Sequence, residues 1–287
     1  MGFPSGEGGF HAKAAALERE RPYFAVKLNA NFSSNPKWFG LPAIQGIVLL
    51  SDATNGLPLA LLDSIEITIL RTGAATAVAA RHLARAASSS VTICGCGNQG
   101  RVQLRALARV LPLSRANAWD SDPERAARFA LELQNELSIP IEPVRDLPAA
   151  LARSDVCVTC TPSREPFLWL EDLAAGTFLA AVGADSPDKQ ELDPRIVASV
   201  KVIADSLEQC AEIGEIHHAI RGGLLSPDRV HAELADVVVG RRPGRESEKE
   251  IIVFDSTGTA LEDVAAAIVV YEKALATGVG ASWEIAG

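Results

Sequence analysis

From about residue 89 to 206, short apolar runs rich in β-branched residues or cysteine alternate with stretches whose apolar positions recur at helical spacing. "SVTICGCG", "RANAWD", "IPIEPV", "DVCVTCT", "TFLAAVGA" and "VKVIADS" read as strands. "GRVQLRALARVL", "DPERAARFALELQNEL" and "LEDLAAG" between them read as helices, each with an apolar stripe. Strand and helix in regular turn make a βαβ repeat, and that predicts an α/β fold: a doubly wound parallel sheet covered on both faces.

The flanks follow other patterns. Residues 1 to about 70 hold strand-like runs, "YFAVKLNANF", "IQGIVLLSD" and "LPLALLDSI", broken by Asn, Pro and Gly, which predicts an antiparallel or mixed sheet. In the first run, alternation puts Ala25, Lys27, Asn29 and Asn31 on one face and the apolar Phe24, Val26, Leu28 and Ala30 on the other. The ordinary place for such a lysine is solvent. "TALEDVAAAIVVYEKALATGV", from 259 to 279, reads as one amphipathic helix capped by its threonine. "GRRPGRESEKE", between 240 and 250, reads as a solvated loop, and no internal repeat is visible.

Composition narrows the function. With 287 residues, 48% hydrophobic and 22% charged, the chain has room for one large domain or two modest ones. A formal charge of −9 argues against nucleic acid or an anionic membrane as partner, which leaves small molecules. No apolar run reaches the roughly 18 residues of a membrane span. The opening "MGFPSGEGGFHAK" has no signal-peptide core, and Gly6 stands where a myristoylation motif requires Ser or Thr, so a cytoplasmic protein is expected. "NFS" at 31 to 33 therefore carries no meaning as a glycosylation acceptor. Five cysteines, an odd number, suit a reducing compartment. Zinc is the competing reading for Cys94, Cys96, Cys157 and Cys160, but alternation puts the first two on one face and the second two on opposite faces. Buried core residues are the expectation, and no metal.

The first motif with chemistry in it is "CGCGNQG", where Gly95, Gly97 and Gly100 form G-x-G-x-x-G directly after a strand and at the start of a helix. Such a turn lets backbone approach a pyrophosphate and aims a helix N-terminus at it. Asn98 and Gln99 lie within the same expected cofactor-binding turn. Asp120 ends the next strand 20 residues after Gly100, where a carboxylate accepts from a ribose 2′-hydroxyl. No arginine follows it immediately, so NAD is expected over NADP in a Rossmann-type domain. Further candidates stand at strand ends, where open α/β sheets bind ligands: Thr161 and Pro162 in "TCTPS", and Gly183 and Asp185 in "VGAD". Asp185 is either a solvated loop acid or a general acid/base near the nicotinamide.

Taken in order, "KLNANF…NP", "LLDSIEITILRTGAATAVAA", "GCGNQG", "TCTPS", "GADSPDKQEL", "DSLEQCAEIGEI" and "DSTGTALEDVAAA" resemble the ornithine cyclodeaminase/mu-crystallin family over nearly the whole chain. The resemblance implies a homodimer, with a substrate and dimerisation domain built from both chain ends (1–84 and 258–287) and a NAD-binding Rossmann domain between (85–257). It implies amino- or imino-acid chemistry with a nicotinamide cofactor. By position, Lys27 and Arg71 match the family's substrate-carboxylate ligands and Asp185 its catalytic acid/base. A further carboxylate-binding arginine of the family precedes the aligned region. Either the sequence is a shortened form or Lys13 in "GFHAK" supplies that cation. Mu-crystallin-like ketimine reductases often lack an acid at the position of Asp185, so its presence leans toward amino-acid dehydrogenases, pyrroline-2-carboxylate reductases and cyclodeaminases. A dehydrogenase or reductase is the expectation. Ornithine cyclodeaminase, with no net NAD change, and a non-catalytic mu-crystallin-like binder are the alternatives.

Overall fold

The structure is a computed structural model and describes residues 8–283. The readings of the opening segment that turn on Gly6 lie outside the described residues. The chain forms two compact units, Met1–Arg71 with Thr259–Gly287, and Thr72–Gly258. The first passage between them falls at 71/72, inside a helix, rather than at 84, where the sequence reading placed it.

In the first unit, β1 (Gly9–Leu17), β2 (Tyr23–Asn31), β3 (Ile44–Asp52) and β4 (Pro58–Asp63) pair in sequential order, all antiparallel. The helical turn α1 (Asn35–Trp38) links β2 to β3, and α2 (Ser64–Leu83) follows β4.

The second unit begins β5 (Ser90–Cys94), α3 (Asn98–Ala108), β6 (Arg115–Trp119), α4 (Pro123–Leu137), β7 (Ile141–Pro143), α5 (Leu147–Leu151) and β8 (Val156–Thr159). It continues through β9 (Phe178–Ala181), α6 (Pro194–Ser199), β10 (Lys201–Ala204), α7 (Leu207–Ile213), α8 (Glu215–Arg221), β11 (Ala232–Glu233), α9 (Leu234–Val238) and β12 (Ile252–Asp255). The eight strands make one parallel sheet in the order β11-β10-β12-β9-β8-β5-β6-β7. From β5 the chain winds outward through β6 and β7, and from β8 it winds the other way, so the topological switch point lies between β5 and β8. Alternate residues of the central strands feed two separate cores. Val91, Ile93, Val156, Val158, Phe178 and Phe254 enter one, and Cys94, Cys157, Leu179, Ala181 and Val253 the other. Both faces are covered, as a parallel sheet requires.

The last helix, α10 (Ala260–Thr277), returns to the first unit, capped by the Thr259 hydroxyl accepting from the Glu262 N–H at 3.4 Å. Its Val264, Ala267 and Ile268 pack with Tyr23, Ala25, Val48, Leu50 and Ile67 into the unit's own core.

Several expectations are corrected. "LEDLAAG" holds only one 3-10 turn, Leu170–Asp172, too short to bury a stripe. Cys94 and Cys96 do not share a face, because β5 ends at Cys94 and the glycine turn carries Cys96 into the opposite core. All five cysteines are free thiols, four of them buried. The loop at 240 to 250 is not simply solvated: Arg245 is part-buried, with Nε donating to the Leu83 carbonyl at 2.7 Å and Nη1 to that of Glu250 at 2.6 Å. Above all, β2 is inverted relative to the expectation from its apolar side. The Tyr23, Ala25, Lys27 face is the buried one, and Phe24 and Leu28 are exposed.

Candidate functional site

The glycine turn fits a pyrophosphate in three separate ways. Gly95 has φ +106, a conformation open to glycine, and a Cβ there would lie 2.8 Å from the Cys160 carbonyl oxygen at the end of β8. At Gly100 a Cβ would fall on the Gly95 carbonyl, so α3 packs hard against its own turn. At Gly97, the residue that caps α3, a Cβ would meet nothing within 4 Å. Its surface is open where a phosphate approaches, and no side chain caps the first-turn N–H groups of the helix. Asn98 and Gln99 open α3, Asn98 exposed and Gln99 with its amide oxygen buried and without a hydrogen-bond partner among the described residues.

Asp120 follows β6 directly, and its two oxygens accept from the N–H groups of Cys96 and Asp122, each at 2.9 Å. Each oxygen keeps a lone pair, so the carboxylate is fixed in place with room for a ribose hydroxyl. Arg101 lies on the same turn, but its guanidinium is engaged by Glu132 at 2.8 Å and by the Cys96 carbonyl at 2.7 Å. Burial pushes the Cys96 thiol up to about 12, which leaves it inert at neutral pH.

Thr161, Pro162 and Gly183 stand at the ends of β8 and β9. Pro162 is exposed. Thr161 and Gly183 turn their N–H groups to Glu191, at 2.6 and 3.1 Å, rather than leaving them for a ligand. Asp185, two residues beyond Gly183, is exposed and pairs with Lys189 at 2.6 Å.

The first unit holds a second cluster. Lys27 is 5% exposed, with Nζ 2.7 Å from Asp263 Oδ2 and donating to the Thr68 hydroxyl at 3.3 Å. Arg71, also buried, shares Asp263 through Nε at 3.2 Å and reaches Glu262 through Nη1 at 2.7 Å. Lys13 pairs with Lys27 across β1 and β2. Burial, and then the Arg71 and Lys13 charges, push Lys27 down to about 8 against the opposing pull of Asp263. Lys13, Lys27 and Arg71 are thus brought together. Sequence reasoning missed Glu262 and Asp263, the carboxylates that hold two of them. Their signal was the "LED" in the first turn of α10, which reads equally well as helix N-terminal acids.

No group of His, Cys, Asp and Glu able to hold a metal occurs among the described residues, and none of their helices is long and apolar enough to cross a membrane.

Known proteins resemble the chain over most of its length. The alanine dehydrogenase of Archaeoglobus fulgidus is 42% identical over 259 residues, 90% of this chain and 79% of that one. The solved structure of an archaeal alanine dehydrogenase dimer with bound NAD superposes with a TM-score of 0.88 at 38% identity, covering 98% of this chain and 90% of that one. The Delta(1)-pyrroline-2-carboxylate reductase of Thermococcus litoralis, in complex with NADH and L-proline, superposes with a TM-score of 0.87 at 34% identity, covering 97% and 91%. Residues 3–278 match the model of the ornithine cyclodeaminase/mu-crystallin family, and to that family the chain belongs.

Proposed function

We propose that this enzyme is an NAD-dependent oxidoreductase acting on the C–N bond of an α-amino acid or α-imino acid. The observation that carries the reading is the buried pair Lys27 and Arg71 sharing Asp263. Lys13 adds a third positive charge to this pair, against the two carboxylates Glu262 and Asp263, and the excess suits a substrate carboxylate, which adds charge-assisted hydrogen bonds. Arg71 offers a planar fork and Lys27 a point charge. Lys13 belongs to the same group and adds a further positive charge beside Lys27. When bound, the nicotinamide supplies or takes the hydride at the carbon of the C=N bond. Reduction also needs one proton at nitrogen, which Asp185 gives, and it recovers that proton from solvent because it is exposed. In the oxidative direction the same carboxylate accepts the proton.

Gly95, Gly97, Gly100, Asn98 and Gln99 hold the cofactor pyrophosphate and Asp120 its ribose, while Thr161, Pro162 and Gly183 frame the crevice at the strand ends. The protein works as a cytoplasmic homodimer. The first unit supplies the dimer contact through the outer face of its sheet, where Phe24 and Leu28 lie exposed.

The test is NADH oxidation with a panel of cyclic imino acids and with 2-oxo acids plus ammonia. Stoichiometric oxidation with at least one of them is expected. Release of ammonia from ornithine with no net change in NADH would instead make it a cyclodeaminase, and NADH binding without any turnover a binder.

A further inference from the structure

Glu191 is fully buried, and its carboxylate grips the ends of two strands at once. Oε1 accepts from the Thr161 N–H at 2.6 Å and its hydroxyl at 2.7 Å, just past β8, and Oε2 accepts from the Gly183 N–H at 3.1 Å, just past β9. Gly183 is glycine for the same reason, since a Cβ there would fall on the Glu191 carboxylate. Behind it stand two more buried acids. The N–H groups of Glu191 and Leu192 donate to Glu215 at 2.8 and 3.1 Å, and those of Glu215 and Ile216 donate to Asp255 at 3.1 and 3.0 Å. Asp255, at the end of β12, thus anchors Glu215, which anchors Glu191.

Burial pushes all three upward, Asp255 to about 7. Burying a carboxylate is costly, and a neutral side chain of this size would fill the space at lower cost. What the carboxylate alone provides is an acceptor at both ends. The segment from Gly183 to Glu191 is therefore closed on itself by its last residue, and it is tied again where His218 Nε2 meets the Lys189 carbonyl at 2.8 Å. Asp185 rides on this closed loop. Its one ion-pair partner among the described residues, Lys189, lies within the loop too.

We propose that Glu191 is a positioning residue for Asp185, holding the loop that carries it at a fixed height above β8 and β9. The proposal rests on the reading of Asp185 as the proton donor. Glu191 is closed off from solvent, and its carboxylate acts through Gly183 and Thr161.

Glu191→Gln keeps the volume but turns an NH2 toward one of the two N–H groups, so one strand end is released. Hydrogen–deuterium exchange in peptides covering 182–190 should rise about tenfold or more, with β5 and β6 unchanged. The turnover number at saturating NADH should fall about tenfold or more, and Glu191→Asp should recover part of the loss. On an Asp185→Asn background, Glu191→Gln should cost less than about twofold further, since the group it positions is gone. Unchanged exchange at 182–190, or an equal cost on both backgrounds, overturns the proposal and leaves the role of Asp185 intact. Full turnover by Asp185→Asn alone overturns both, because nothing is then left to position.

Discussion

At Lys27 the sequence and the structure disagree most. Alternation along β2 divides its residues into two faces correctly, but periodicity alone does not say which face is inside. The apolar side looked like the core. The structure buries the lysine side instead, because Asp263 and Glu262 arrive from the far end of the chain to neutralise it together with Arg71. Partners more than 190 residues away leave no local trace. Lys27→Met keeps the aliphatic stem and deletes the charge, so kcat/KM should fall by about 1.5 to 3 kcal/mol, the usual range for a hydrogen bond to a charged group. Stability should not fall, because the buried ammonium is the form the fold disfavours and Arg71 still faces Asp263. Unchanged kcat/KM would remove Lys27 from the carboxylate site.

The titration of Lys27 adds a second test at the same residue. Its folded value of about 8 lies below the 10.5 of free lysine, so the protonated form is the disfavoured one in the fold. The stability this group contributes is full above about pH 10.5 and is lost as pH falls through 8. Carboxylate affinity runs the opposite way, because only the ammonium attracts an anion. Binding of an amine-free carboxylate, followed by calorimetry, should weaken above about pH 8, and Lys27→Met should abolish that limb. An affinity flat from pH 7 to about 9.5 would contradict the assignment.

Among the elements, the glycine turn separates fold from function. Gly100 is packed against the Gly95 carbonyl, whereas Gly97 faces open space. Gly100→Ala should therefore lower the melting temperature by several degrees, on the scale of about 1 to 3 kcal/mol for overpacking. Gly97→Ala should melt like the parent and bind NADH at least about tenfold more weakly, a difference of roughly 1.4 kcal/mol. The reverse pattern in thermal melts and NADH titrations would place the pyrophosphate elsewhere. The βαβ units were legible because strand and helix have different periods, and the turn because its glycines directly follow an apolar run. The lateral order of strands was not. β12 slots between β9 and β10, although it comes later in the chain than either, and short parallel strands carry no mark of their neighbours. Glu191 stood in plain view in "KQEL", but its grip on Thr161 spans 30 residues, and a buried acid looks like any other in the sequence.

For the whole molecule, the same inversion of β2 bears on assembly. Its outward side continues across the sheet of the first unit. Ala12, Ala14 and Ala16 of β1 lie opposite Leu28, Val26 and Phe24, which lie opposite Ile47, Leu49 and Ser51 of β3, and Leu49 pairs in turn with Leu61 of β4. Leu28 is 41% exposed, Ile47 49% and Leu61 60%, so large apolar groups are open to water on adjoining strands. A contiguous apolar patch of this kind marks an interaction surface. The homodimer proposed above would place a second copy of the chain on it, because a two-fold contact uses the same patch twice. The archaeal alanine dehydrogenase that superposes on this chain is itself a dimer. Leu28→Lys with Leu61→Lys places charges where exposure in the isolated chain tolerates them, so each subunit should keep its fold. In a two-fold dimer those two changes become four, each removing about 1.5 to 3 kcal/mol of burial at most. Together that is about 6 to 12 kcal/mol, comparable to the whole affinity of a micromolar dimer, about 8 kcal/mol. Sedimentation velocity should show the parent as a dimer and the double variant as a monomer with an unchanged far-ultraviolet dichroism spectrum. A parent that sediments as a monomer at tens of micromolar, or a double variant that remains dimeric, would mean that this face is not where the copies meet.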